Sequence, residues 1–140
     1  MPKKISAPLV EKYTLEVTDP SKETYVTIKQ ARQEQQEIHD NLFSETTRIW
    51  NDQSTGGEMR LMQRVSVGEV VRTEVFLTMT DCNIIGPDDQ PLFKFGPKGL
   101  DMDSNAFRAA WGQLDPAIVD EIHEKVRLMN PQWGPQGKAG

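Results

Sequence analysis

Apolar residues are spread unevenly along this chain: they gather in 59–85 and 107–129 and leave the flanks polar. A sequence supplied in this way builds one modest core with loosely attached ends, and 140 residues is the usual size of a single domain. With 36% hydrophobic and 26% charged residues, the chain is polar but lies outside the compositions that stay disordered.

Residues 1–12 carry no period and read as a flexible arm. Tyr13, Leu15 and Val17 then alternate with Thr14 and Glu16, as one face of a strand does. Asp19-Pro20-Ser21-Lys22 has turn chemistry, with proline pre-setting φ and aspartate able to bond the backbone ahead. Tyr25-Val26-Thr27-Ile28 is a second β-prone run, so 13–28 is expected to be a hairpin, which needs something to pack against.

The composition of 29–52 changes to Gln, Glu, Arg and Ala and predicts a helix. Ile38, Leu42 and Ile49 fall on one side of it, with Phe43 and Trp50 at the flank. Its first turns, Gln30 to Glu37, are almost wholly polar and are expected to project into solvent or against a partner. Gln53-Ser54-Thr55-Gly56-Gly57 ends it in a loop.

In 69–82 two periods compete. Val67, Val71, Val75, Met79 and Cys82 form a helical stripe, while Val75, Leu77 and Met79 alternate among residues that favour strand. Length favours helix. Two turns follow, at 85–91 and 96–99, enclosing the apolar plug Leu92-Phe93-Lys94-Phe95. Asp103 or Ser104 caps a helix carrying Phe107, Ala110, Trp111 and Leu114. Asp115-Pro116 opens another, with Ile118, Val119, Ile122, Val126 and Met129 on its apolar face, and Asn130-Pro131 stops it. The expected class is α+β and mostly α-helical: an N-terminal β-hairpin followed by a small helical bundle. The single domain spans 13–130, with 58–130 as its helical core and 131–140 as a flexible Pro/Gly-rich tail.

The net charge of -5 and the lack of a Lys/Arg cluster argue against nucleic acid, whose binding rewards a basic face. No apolar run is long enough to span a membrane, and Met-Pro-Lys-Lys-Ile-Ser lacks the apolar stretch of a secretory signal, so a cytoplasmic location is expected. His39 and His123 sit on the polar sides of their helices and read as solvated rather than as ligands or bases. Asp88, Asp89, Asp101 and Asp103 lack the spacing of a calcium loop. Cys82, the single cysteine, has apolar neighbours and reads as an inert thiol. There is no phosphate-binding loop and no nucleophile elbow. No catalytic, cofactor-binding or metal-binding residues are assigned, and the chain is expected to bind other proteins rather than to catalyse.

Trp50 at a helix end and Trp133 beyond a helix stop are candidate contact residues, because tryptophan is favoured at protein–protein hot spots. The alternative is that each packs back as a local lid. Phe43, Met59 and Met62 complete the candidate partner-binding set, methionine being suited to an adaptable apolar surface.

The order of these features resembles the tail assembly chaperones of tailed, siphovirus-type phages. The residues that carry the likeness are 25–31 opening a polar helix and the turn segment 83–93 after a mid-chain apolar helix. They continue in Phe107…Trp111…Leu114-Asp115-Pro116 and in Val126…Asn130-Pro131-Gln132-Trp133. The resemblance covers 25–133. It implies a chaperone that binds the tape measure protein and recruits tail tube subunits, working in the host bacterial cytoplasm, without a cofactor and outside the mature virion. Formation of a homo-oligomer is left open. Such chaperones are often made in two lengths by a programmed frameshift. Gln136-Gly137-Lys138 is compatible with the codons CAG GGA AAG, which hold a slippery heptamer. A structural virion protein of the tail or head–tail junction is the alternative.

Overall fold

The computed structural model describes residues 2–51 and 66–134, with side chains placed as far as Phe43 in the first stretch. The fold is α+β. Strands β1 (Val10–Thr14), β2 (Tyr25–Lys29) and β3 (Met79–Cys82) form an antiparallel sheet in the order β1-β2-β3. Helices α1 (Gln33–Asn51), α2 (Val67–Thr78), α3 (Ser104–Trp111) and α4 (Pro116–Met129) accompany it, α2 and α4 packing on each other and α1 on α2. A short hairpin, β4 (Phe95–Gly96) and β5 (Gly99–Leu100), lies beside β3.

The N-terminal hairpin is present, but β1 begins at Val10, inside the expected arm, and pairs Val10 with Lys29 through to Thr14 with Tyr25. The turn chemistry of Asp19 explains the early end of β1. Its carboxylate accepts from the N–H groups of Ser21, Glu23 and Thr24 and from both hydroxyls, and these bonds hold it at about 2, well below the usual carboxylate range. The chain curls from Leu15 onward, so Leu15 turns into the core at 1% exposure while Val17 is 82% exposed.

The two periods in 69–82 are both real, one after the other. Ser66 caps α2 by accepting from the Glu69 N–H at 3.1 Å, half of a capping-box pattern. The helix runs to Thr78, whose hydroxyl bonds back to the Glu74 carbonyl at 2.7 Å, and the chain then extends into β3. Pairing with β2 overrides the helical stripe at Met79, with an irregularity in register between Thr27 and Ile28. The helical core expected over 58–130 therefore also contains β3, β4 and β5. At the β4–β5 turn Gly99 has a φ of +109°, a conformation that glycine adopts at no steric cost.

The core is a single cluster between the sheet and the helices. Leu15, Val26 and Ile28 meet Val75, Met79, Phe107, Ile122, Val126 and Trp133 there. Phe107 is its aromatic centre, with Phe76, Phe93 and Trp111 rings 5.1, 5.4 and 5.7 Å away. Asp103, not Ser104, caps α3, accepting from Ala106 at 2.8 Å. No described helix is long and apolar enough to cross a membrane.

Candidate functional site

A buried polar cluster lies inside the molecule, around Glu74. The Val70, Val71 and Val75 stripe that packs α2 inward carries Glu74 with it, because residues three and four apart share a helix face. The side chain is fully buried, which demands partners. Three arrive from two other helices. His39 of α1 places Nε2 2.8 Å from one carboxylate oxygen, and His123 of α4 places Nε2 2.7 Å from the other. Arg127, one turn beyond His123, adds its Nε at 3.0 Å and a second guanidinium nitrogen at 3.4 Å.

An ionised carboxylate only accepts, so both imidazoles direct an Nε2–H toward it. Burial by itself raises the pKa of Glu74, but the hydrogen bonds from His123, His39 and Arg127 and the charge of Arg127 outweigh it and bring the group down to about 2. Both oxygens are thus engaged by cationic or N–H donors. Chemically the cluster is a clamp that fixes α1, α2 and α4 at one point. His39 and His123 are accordingly not solvated, contrary to the sequence expectation; His39 is 3% exposed.

Trp133 closes the clamp. Its ring lies parallel to His39 with centroids 4.6 Å apart, and its Nε1–H donates to Oε1 of Gln36 at 2.9 Å. It is 1% exposed, so the assignment of Trp133 as a contact residue is corrected: it is the local lid, seated by the 3-10 turn Pro131–Trp133. Asn130 prepares that turn. Its side chain accepts from the Ala31 N–H at 2.7 Å and donates to the Lys29 carbonyl at 3.2 Å, tying the end of α4 to the start of α1. The early turns of α1, expected to project, are therefore partly bound to the body.

Other assigned residues fall elsewhere. Phe43 is 37% exposed and its ring stands 5.7 Å from His39. The Trp50 side chain, Met59 and Met62 lie outside the described residues. Cys82 is half-buried, and burial pushes its thiol up to about 11, which leaves little thiolate at neutral pH. Among the described residues no group of three or more His, Cys, Asp and Glu is placed to hold a metal ion.

Among the described residues, apolar side chains reach the surface in several places, two of which bear on binding. Ile38 of α1, 45% exposed, borders a groove of about 210 Å³ whose walls include Phe76, Leu77 and Leu100, with Lys29, Lys98, Glu34 and Gln35 supplying a polar part of the lining. Ile5, Leu9 and Val10 are exposed along the N-terminal segment and the start of β1. Sequence reasoning missed the Glu74 clamp. The available signals were a glutamate in a valine stripe and the His123…Arg127 spacing, which stacks two donors on one helix face. No protein-family model matches this chain, and no curated protein or solved structure matches it either.

Proposed function

We propose that this chain is a tail assembly chaperone of a tailed phage, binding the tape measure protein and recruiting tail tube subunits while the tail is built. The proposal rests on the resemblance over 25–133 and on one observation, the groove with apolar walls at Ile38. A protein that keeps long apolar segments in solution needs apolar surface of its own, and a groove with Ile38, Phe76, Leu77 and Leu100 in its walls and both lysines and Glu34 at its lining suits an amphipathic segment. The Glu74 clamp has a supporting part: it holds α1, and so Ile38, against the wall formed by α2.

The alternative, a structural protein of the tail or head–tail junction, differs in where the protein ends up. Mass spectrometry of purified virions separates the two. The chaperone reading expects the chain in infected-cell lysate and not in particles; recovery from particles at a fixed copy number would establish the structural reading instead.

A further inference from the structure

The outer edge of the sheet is formed by β1, which pairs with β2 on one side only. Leu15 donates its N–H to the Thr24 carbonyl at 2.9 Å, and Gln30 donates to the Leu9 carbonyl at 2.8 Å. Antiparallel pairing alternates, so the odd-numbered residues of β1 bond inward to β2, and Val10, Lys12 and Thr14 present their backbone N–H and C=O groups outward. Because β1 is terminal in the sheet order, no described strand meets them.

Natural edges are commonly blunted by a lysine standing in the way of an incoming strand. Here the one lysine of β1 is drawn aside: Lys12 Nζ sits 4.1 Å from the centroid of the Tyr25 ring on the neighbouring strand. The residues ahead of β1 continue its line, held by the Leu9 bond and by a hydrogen bond from the Arg32 guanidinium to the Ser6 carbonyl. Val10 and Leu9 are 54% and 61% exposed beside this open backbone.

The edge is poorly suited to a second copy of itself. The two-fold antiparallel pairing that uses all of β1 is centred on Lys12 and sets the two lysines directly opposite. A pairing centred one residue earlier opposes Glu11 to Glu11. A partner with an acidic residue opposite Lys12 and an apolar residue opposite Val10 meets neither penalty.

We infer that β1 receives an extended segment of a partner protein by antiparallel strand addition, the segment carrying an acidic residue two positions before an apolar one. This rests on the reading that the chain acts by binding another protein, and it adds a site distinct from the groove at Ile38.

The test is an NMR titration of the labelled full chain with a short capped peptide alternating threonine and valine around one glutamate. A matched peptide with lysine in place of the glutamate is the comparison. The expected result is slowed amide exchange at Val10, Lys12 and Thr14 with the glutamate peptide and at least a tenfold weaker response with the lysine peptide. Lys12→Pro removes an outward N–H and the lysine's contact with Tyr25 but no backbone bond to β2, a place where strands tolerate proline, so it should keep the fold and abolish the response. Lys12→Glu should reverse the peptide preference. Unchanged exchange at the three amides, equal response to both peptides, or concentration-dependent self-pairing at β1 would each overturn the inference. If the peptide fails while tape measure protein still co-purifies with the chain, strand addition falls and the chaperone reading stands; the reverse outcome separates them the other way.

Discussion

Trp133 and His39 are stacked face to face, centroids 4.6 Å apart and planes inclined by only 5°, so the end of the described chain is packed on its first helix. The contact is made beside a buried ion cluster: the imidazole in the stack also bonds Glu74 through Nε2. The lid, the helix and the carboxylate are thus linked through one histidine.

Removing the lid should be costly. Trp133→Ala deletes a fully buried indole and exposes the clamp, and is expected to lower stability by about 4 kcal/mol. Trp133→Phe keeps an aromatic face on His39 but loses the bond to Gln36, and should cost less, though its smaller ring leaves a gap. Urea denaturation followed by far-UV circular dichroism reads both, and equal losses would refute the separation of stack from hydrogen bond.

Glu74→Gln tests the clamp itself. The neutral amide leaves the Arg127 charge without its counter-ion and offers one acceptor oxygen where two were used, so a loss of about 3 kcal/mol is expected. Midpoint and slope in the same denaturation experiment decide it: an unchanged midpoint would mean that the carboxylate contributes nothing net.

Acid should act through the same group. The folded-state value of Glu74, about 2, lies below its ordinary 4.5, so its stabilisation is fully present above the higher value and is lost as pH falls through the lower. At about 1.4 kcal/mol for each tenfold change in proton affinity, the contribution is ~3 kcal/mol. Glu121 adds to it in the same direction: burial raises it, but the Thr18 hydroxyl and the Val17 and Thr18 N–H groups outweigh that and hold it below the usual range. Stability measured from pH 6 to pH 2 should fall, and Glu74→Gln should flatten the fall; parallel curves for the two proteins would contradict it.

Ile38→Asp addresses the groove without touching the core. The residue is 45% exposed, so the change should shift stability by no more than about 1 kcal/mol. Placing a charge in the apolar wall of the groove should nonetheless weaken binding of tape measure protein at least tenfold, read by pull-down at graded concentrations. Undiminished binding would move the contact surface away from α1.

The parts of this fold that could be read from sequence are those set by local chemistry. Asp19-Pro20, Asp103 and Asn130-Pro131 each mark a turn, cap or stop where the structure has one, because those residues act on backbone within a few positions. The apolar face of α4 was legible for the same reason, through Ile122 and Val126. Residues 79–82 were not: their helical stripe is genuine, and only pairing with β2, distant in sequence, makes them a strand. The Glu74 clamp was hidden likewise. A histidine on a polar helix face reads as solvated until another helix brings a buried carboxylate to it. Trp133 left two readings open, and the stack on His39 selects the inward one.

Co-expression with the tape measure protein tests the central claim most directly. The gene pair is expressed together and separately, and the soluble fraction of tape measure protein is quantified after centrifugation. The account predicts that tape measure protein sediments alone, stays soluble with this chain and co-purifies with it, and that Ile38→Asp reverses the rescue. Equal solubility with and without the chain, and no co-purification, would contradict it.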